Sequence, residues 1–345
     1  TMAALWPLAE AARFAGIDLY TDRYRSLYDA PLALALPNGE PPGFNDSAGG
    51  NVAGYAPLYE IAYARYRVSA YGALVSRTQR DSVQALLCGE ETASTGPMIP
   101  ERSALLPSAG FAMLRSSAMT VAVRFGRHGG GHGHPDKLNI VTFAGGRVFG
   151  LDPGSINYGV PLHREWYRST IAHNTVGADG QIQASADGRH EAWETGGGIT
   201  RFTAIADKVY PGVTLRRSLA LYGSRLDDRF ECLAGAEHDY DWAFHAPGQL
   251  RVSVKLSERR GALGAENGYQ HIRGVSEGRP DGDWTARWES GDAVLTLRFR
   301  TASGTMVFTG AAPGRNPAEL VPMLVVRRRA ANTVFEVTHE ISARS

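Results

Sequence analysis

Three of the ten histidines fall within seven positions, in Arg127-His128-Gly129-Gly130-Gly131-His132-Gly133-His134-Pro135-Asp136-Lys137. Imidazole exchanges protons near neutral pH and is a common metal ligand, so such a cluster suits either role. The glycines let the backbone turn sharply or come close to a ligand. His132 and His134 stand at i and i+2. In an extended segment both side chains project from one face, which puts one metal ligand beside one catalytic group. Downstream lie Asp152, in Gly150-Leu151-Asp152-Pro153-Gly154-Ser155, and His173, in Thr170-Ile171-Ala172-His173-Asn174-Thr175. His134, Asp152 and His173 make a two-imidazole, one-carboxylate set suited to Zn²⁺. Their separations of 18 and 21 positions match no compact zinc motif. Loop histidines satisfied by hydrogen bonds therefore remain an open alternative.

Other polar and aromatic groups stand near this block. Arg164 and Arg168 flank Trp166 and Tyr167. Guanidinium grips a carboxylate bidentately and rings stack on a pyranose, so the group suits an anionic sugar; surface ion pairs are the alternative. Asn45 and Asp46 either contact sugar or form an Asx turn. His245 closes an aromatic run and reads as a satisfied core histidine or as lining of a cleft.

These residues need elements to hold them. Residues 1–105 read as mostly helical. Leu5, Leu8, Ala12 and Ala15 form an apolar face, with Gly16 placed as a C-terminal cap. A second helix is expected over about 20–30, and a Pro/Gly/Asn/Asp-rich loop runs from Pro37 to Gly54. Leu58, Ile61, Ala62, Arg65 and Tyr66 recur at helical spacing. Asp81 with Gln84 resembles a capping box. Beyond about 105 the pattern changes to short segments rich in β-branched and aromatic residues: 111–114, 120–125, 138–143, 148–151, 214–221, 229–233, 293–299, 305–309 and 333–337. Glycine-rich turns separate them, Ala144-Gly145-Gly146 among them. The expected class is α+β, with a helical region over 1–105 and a large antiparallel β-sandwich over 106–345.

Composition narrows the function. The chain has 345 residues, 36 Lys plus Arg against 35 Asp plus Glu, and a net charge of +1. That balance excludes a strongly basic nucleic-acid surface. No run of 18 apolar residues exists, so no membrane span is read. Cys88 and Cys232 imply no disulfide framework. Arg327-Arg328-Arg329, the one run of arginines, reads as a solvated strand edge.

The segment His132-Gly133-His134-Pro135-Asp136-Lys137-Leu138, followed by Asp152-Pro153-Gly154, Tyr158-Gly159, Trp166 through Val176, and Asp179-Gly180 with Gln183, resembles the C-terminal half of the heparinase II/III-like polysaccharide lyases. The flavour is that of their exolytic oligoalginate lyases. Looser likeness extends to Pro42-Gly43-Phe44-Asn45-Asp46-Ser47 and to Tyr240 through Gly248. The resemblance implies an incomplete α/α toroid followed by an antiparallel β domain, with 1–105 the C-terminal remnant of the toroid. It implies β-elimination on a uronate-containing glycan, with oligoalginate favoured over a glycosaminoglycan. It also implies His132 as a catalytic histidine, Tyr158 as acid or substrate contact, and His134, Asp152 and His173 as zinc ligands. The metal's implied part is mainly to order the sheet loops.

The family's Asn-His pair and general acid/base tyrosine lie in helices N-terminal to the segment resembling Leu5–Tyr20, and have no counterpart here. The expected partners are therefore a uronate glycan and an N-terminal helical portion of the same protein, in one chain or as a separate one. The competing reading is a zinc-stabilised carbohydrate-binding β domain without turnover. A metal-dependent hydrolase fits less well, because Asp136 is its one acidic base candidate.

Overall fold

The computed structural model describes residues 2–91 and 96–344. They form two compact units. The first takes the chain up to Pro42 together with Gly49–Glu101, and the second takes Gly43–Ala48 with Arg102–Ser345. Ten residues of the expected helical region, Gly43–Ala48 and 102–105, thus belong with the β structure.

The helical unit contains α1 (Met2–Phe14), α2 (Asp22–Leu34), α3 (Ala56–Tyr66), α4 (Ser69–Val75) and α5 (Val83–Cys88). Thr21 caps α2 by accepting from the Tyr24 amide. Ser82 caps α5 by accepting from the Ala85 amide at 3.1 Å, so the cap falls one residue after the expected Asp81. In α1 the fully buried residue is Ala9, and Leu8 is 60% exposed, against the face expected from spacing. The cause is Glu10. Its carboxylate takes Arg65 through two bonds of 2.9 and 2.6 Å and the Tyr20 hydroxyl at 2.6 Å, which turns that side inward. The helix α4 was not anticipated; seven residues with Gly72 at their centre carry too little periodicity to read. Tyr28, Tyr59 and Tyr71 pack edge-on at the centre of this unit. No described helix is long and apolar enough to cross a membrane.

The second unit has two antiparallel sheets. The smaller is a meander of β1 (Ala104–Leu106), β2 (Phe111–Arg115), β3 (Met119–Arg124), β4 (Asn139–Ala144) and β5 (Arg147–Phe149). Gly145 and Gly146 join β4 to β5 with φ of +55° and +71°, the left-handed pair a two-residue I′ hairpin needs. The larger sheet is built on β7 (Arg189–Gly196), β8 (Ile199–Tyr210), β9 (Val213–Tyr222), β10 (Arg225–His245), β11 (Gln249–Val252), β14 (Trp284–Ser290), β15 (Ala293–Phe299) and β17 (Leu320–Ala343), in the order β11-β14-β15-β17-β10-β9-β8-β7. Four further strands flank it: β6 (Val176–Ala178), β12 (Ser257–Glu258), β13 (Arg273–Gly278) and β16 (Met306–Pro313).

The strands β10 and β17 run 21 and 24 residues, where sequence suggested short pieces. A register shift between Leu233 and His238 bends them, so each serves two regions of the sheet. One continuous apolar core draws Leu114, Val121, Val123 and Ile140 from the small sheet and Phe202, Leu215, Leu219 and Phe230 from the large one. Along β9 the inward row reads Leu215, Arg217, Leu219, Leu221, all buried. A guanidinium in that row needs buried partners, and it has them. Arg217 donates to Asp228 at 2.9 and 2.5 Å, and to the Leu138 and Asn174 carbonyls at 2.7 Å each. Those carbonyls belong to the two loops that carry His134 and His173.

Candidate functional site

The loop between β3 and β4 carries the histidine block, and two arginines hold its carbonyls. Arg124, buried, donates to the carbonyls of Arg127 and of His128, the latter at 3.1 Å. Arg168 donates to those of Gly131 at 2.9 Å and Gly133 at 2.7 Å. Gly133 passes so close to His128 that a Cβ there would lie 1.9 Å from its carbonyl oxygen, so no larger residue fits. Gly130–His132 is a single 3₁₀ turn rather than extended chain. The rings of His132 and His134 consequently part: His132 is 77% exposed and His134 is fully buried.

They meet again through one carboxylate. Asp46 sits in the six-residue segment that joins the β unit. There Phe44 stacks on Phe111 with centroids 5.7 Å apart, Asn45 takes φ +57° and accepts from the His134 amide, and the Ser47 carbonyl accepts from the Ser155 amide. Asp46 Oδ2 lies 2.8 Å from His132 Nδ1 and 2.6 Å from the Tyr158 hydroxyl. Its Oδ1 lies 3.1 Å from His134 Nε2 and 3.1 Å from Ser155 Oγ. Burial pushes this carboxyl up, but the hydrogen bonds from Tyr158, His134 and His132 outweigh it and hold the group well below the usual carboxylate range. The same bond to Asp46 raises the Tyr158 phenol. Asn45 and Asp46, expected to touch sugar, thus bond protein groups. His163, not anticipated, is buried against Tyr158 with ring centroids 4.7 Å apart and Nε2 3.7 Å from Asp46. Neither of its ring nitrogens has a hydrogen-bond partner among the described residues.

Behind this exposed pair lie His134, Asp152 and His173, all with no exposure. The His134 and His173 rings stand 5.4 Å apart. Asp152 accepts from His173 Nδ1 at 3.0 Å, Asn139 Nδ2 at 2.6 Å and the Gly154 amide at 2.8 Å. Burial and the neighbouring His173 lower the His134 imidazole; burial opposes charge on His173, but Asp152 outweighs it and raises that ring. A carboxylate oxygen brings no hydrogen, so the ring nitrogen facing it carries one, and the neutral ring's other nitrogen keeps a lone pair. Those other nitrogens, His134 Nδ1 and His173 Nε2, are buried and without a partner. Two orphaned imidazole lone pairs beside a carboxylate fit Zn²⁺ in donor chemistry. Among the described residues, no three His, Cys, Asp or Glu side chains already stand as a coordinating group.

Three expected sugar contacts fall elsewhere. Trp166 and Tyr167 lie in a five-residue π-type turn, His163–Tyr167, and are fully buried. Trp166 Nε1 donates to the Pro313 carbonyl at 2.8 Å and the Tyr167 hydroxyl to that of Gly314 at 2.7 Å, so their rings fill core rather than face a ligand. His245 is 4% exposed, is paired with Asn174 Oδ1 through both its backbone amide and Nδ1, and is pushed down to about 3 by burial. Arg164 remains exposed to solvent. Asn139 and Asn174 were missed as well. Asn174 ties the His173 loop to the Ile140 and Leu151 carbonyls. Two buried asparagines beside a histidine and an aspartate were the available signal.

Comparison with known proteins bears on this geometry. Residues 98–320 match the family model described as heparinase II/III-like, C-terminal. The chain is similar to an alginate lyase of Stenotrophomonas maltophilia (strain K279a), 27% identical over 209 residues, or 51% of this chain and 28% of that protein. It is also similar to a heparin-sulfate lyase of Pedobacter heparinus, 30% identical over 125 residues, or 34% of this chain and 19% of that one. A crystal structure of a heparan sulfate lyase from Pedobacter heparinus superposes with a TM-score of 0.73 at 16% identity, covering 99% of this chain and 51% of that chain; this likeness speaks to the fold. The aligned segments span under a third of the two curated relatives.

Proposed function

Since the chain belongs to the heparinase II/III-like C-terminal family, we propose that its site serves β-elimination on a uronate-containing glycan. The observation that carries this reading is the exposed His132–Tyr158 pair bridged by Asp46. In β-elimination a base takes the C5 proton, the electron pair forms the C4=C5 double bond, and the C4–O bond breaks as its oxygen is protonated. A proton α to a carboxylate is weakly acidic, so the uronate charge must be neutralised as the proton leaves. Imidazole and phenol are suited to such proton transfers, and His132 and Tyr158 present both within 2.9 Å. Arg164, exposed and next in sequence to His163, is the cation proposed to meet a uronate carboxylate.

Oligoalginate is the favoured substrate. The one arginine run offers no sulfate patch: Arg327 is bound twice to Asp241 at 2.7 Å, and Arg328 is buried against Thr305 and the carbonyls of Val334 and Arg300. Arg329 alone stays in solvent, 66% exposed beside Glu237, so the run is only in part the solvated edge expected from sequence. A glycosaminoglycan is the second reading, favoured by the likeness to a heparin-sulfate lyase.

The helical unit is proposed as the C-terminal remnant of an α/α toroid, completed by an N-terminal helical portion of the same protein. Phe14 (92% exposed), Leu86 (85%) and Leu87 (68%) support this as large apolar side chains that the helical unit leaves uncovered. The test uses the protein that contains this chain with those helices present. Incubation with alginate and glycosaminoglycan oligomers is expected to raise far-ultraviolet absorbance from the unsaturated uronate, most with alginate. No signal from any uronate glycan would leave a carbohydrate-binding β domain as the better account.

His134, Asp152 and His173 are proposed to hold Zn²⁺, which would supply a fixed positive charge that orders these loops beside the site. Metal-stripped protein is expected to melt higher on adding Zn²⁺, by the equivalent of about 2.7 kcal/mol at a hundredfold excess over the dissociation constant. His173→Ala is expected to remove the rise. Equal rises in both proteins would place the metal elsewhere.

A further inference from the structure

We propose that Asp46 is a positioning residue that fixes His132 as its Nδ1–H tautomer and keeps the Tyr158 hydroxyl hydrogen beside it. His132 Nε2 is then the proton-accepting atom and Tyr158 the proton-delivering one. What these atoms do rests on the lyase reading above; where the hydrogens sit does not.

The argument is a hydrogen count. A carboxylate accepts and cannot donate. Asp46 Oδ2 has two neighbours, His132 Nδ1 at 2.8 Å and the Tyr158 hydroxyl at 2.6 Å. A bare Nδ1 lone pair at that distance would repel the oxygen, so Nδ1 carries the hydrogen. Tyr158 has one hydrogen and two directions for it: Asp46 at 2.6 Å or His132 Nδ1 at 2.9 Å. With Nδ1 already protonated, the phenol donates to Asp46. The other oxygen is anchored by His134 Nε2 and Ser155 Oγ, both at 3.1 Å, and the Asp46 side chain is only 10% exposed, so the carboxylate cannot swing away. In the neutral ring the remaining atom, Nε2, keeps its lone pair, and the His132 side chain is 77% exposed.

The step balances. The C5–H bond breaks and its proton goes to His132 Nε2. The electron pair left on carbon becomes the C4=C5 bond, and the C4–O pair leaves with oxygen, which takes the Tyr158 hydrogen. His132 ends as an imidazolium facing Asp46 and Tyr158 as a phenolate, and return of the proton through solvent resets both. Asp46 stabilises the imidazolium without touching substrate, as the carboxylate behind a catalytic histidine does.

The test reads tautomer and rate separately. In the ¹⁵N-histidine-labelled 345-residue chain, long-range ¹H–¹⁵N correlation is expected to show His132 protonated at Nδ1 and bare at Nε2. Asp46→Asn is expected to shift His132 toward Nε2–H, while Tyr158→Phe leaves the tautomer as it was. In the protein that contains this chain, Asp46→Asn is expected to lower kcat by about 10–100-fold with KM little changed. Nε2–H on wild-type His132 overturns the proposal, whether or not Asp46→Asn folds; so does an Asp46→Asn protein that keeps both the tautomer and kcat. Nδ1–H in a protein that cleaves no uronate glycan upholds the positioning role and overturns the lyase reading.

Discussion

His132→Ala, made in the protein that contains this chain, is expected to slow uronate elimination by about 10²–10⁴-fold, the usual contribution of a positioned proton carrier. That is about 2.7–5.4 kcal/mol of transition-state stabilisation at 1.36 kcal/mol per decade. The loss is expected on kcat, with KM nearly unchanged, because in the proposed role the imidazole meets the reacting proton rather than the bulk of the sugar. Stability is expected to move by no more than about 0.5 kcal/mol. His132 is 77% exposed and ends a short turn whose shape is fixed by Arg168 and Gly133, so no core contact is lost. Initial rates by far-ultraviolet absorbance, alongside a melting curve, separate the two effects. A His132→Ala protein of wild-type rate would remove this residue from the mechanism. One that is inactive and also several degrees less stable would show that its role is structural.

The histidine block was legible because its residues are close in sequence, and a run of glycines between imidazoles has few structural uses. Asp46 was legible as a residue of interest but not as a bridge. Its partners lie 86 and 112 positions away, and only the fold brings Gly43–Ala48 to them. Trp166 and Tyr167 show the limit from the other side. Aromatic rings between arginines look the same whether they stack on sugar or fill a core. The carbonyls of Pro313 and Gly314, 147 positions on, decide it. Of the strands, β15 was readable as an apolar run. In β8 the outward Arg201, Thr203, Asp207 and Lys208 dilute the signal below recognition. The length of β10 and β17 was hidden by the bend at Leu233–His238, where the apolar alternation breaks. Arg217 carried a signal that could have been used: a cation in an inward row of leucines requires a buried acid and buried carbonyls.

Arg217→Met is expected to cost about 3–5 kcal/mol of stability, the penalty for breaking a buried ion pair from one side. Methionine fills much of the space but satisfies nothing. Asp228 loses its bonds of 2.9 and 2.5 Å, and the Leu138 and Asn174 carbonyls lose theirs of 2.7 Å. Arg217→Met with Asp228→Leu is expected to recover the ion-pair share of the loss and not the carbonyl share. The pH dependence tests the same network. Burial pushes the Asp228 carboxyl up, but Arg217 and His339 outweigh it and hold it below its unfolded value. Its contribution is therefore full above about pH 4 and is lost as pH falls through the folded value. His339, 3.4 Å from Asp228, is lowered by burial. The unfolded chain takes up that proton below about pH 6.5 while the folded one resists, so stability already declines on His339's account between pH 7 and 5. In Arg217→Met the Asp228 carboxyl loses its main source of lowering, so the acid limb moves to higher pH. Urea midpoints at neutral and acidic pH read both effects, and an Arg217→Met midpoint equal to wild type at every pH would refute the network's importance. Because the two carbonyls lie one residue beyond Lys137 and His173, the variant is also expected to weaken the proposed Zn²⁺ binding, which would link a charge in the core to the order of the site above it.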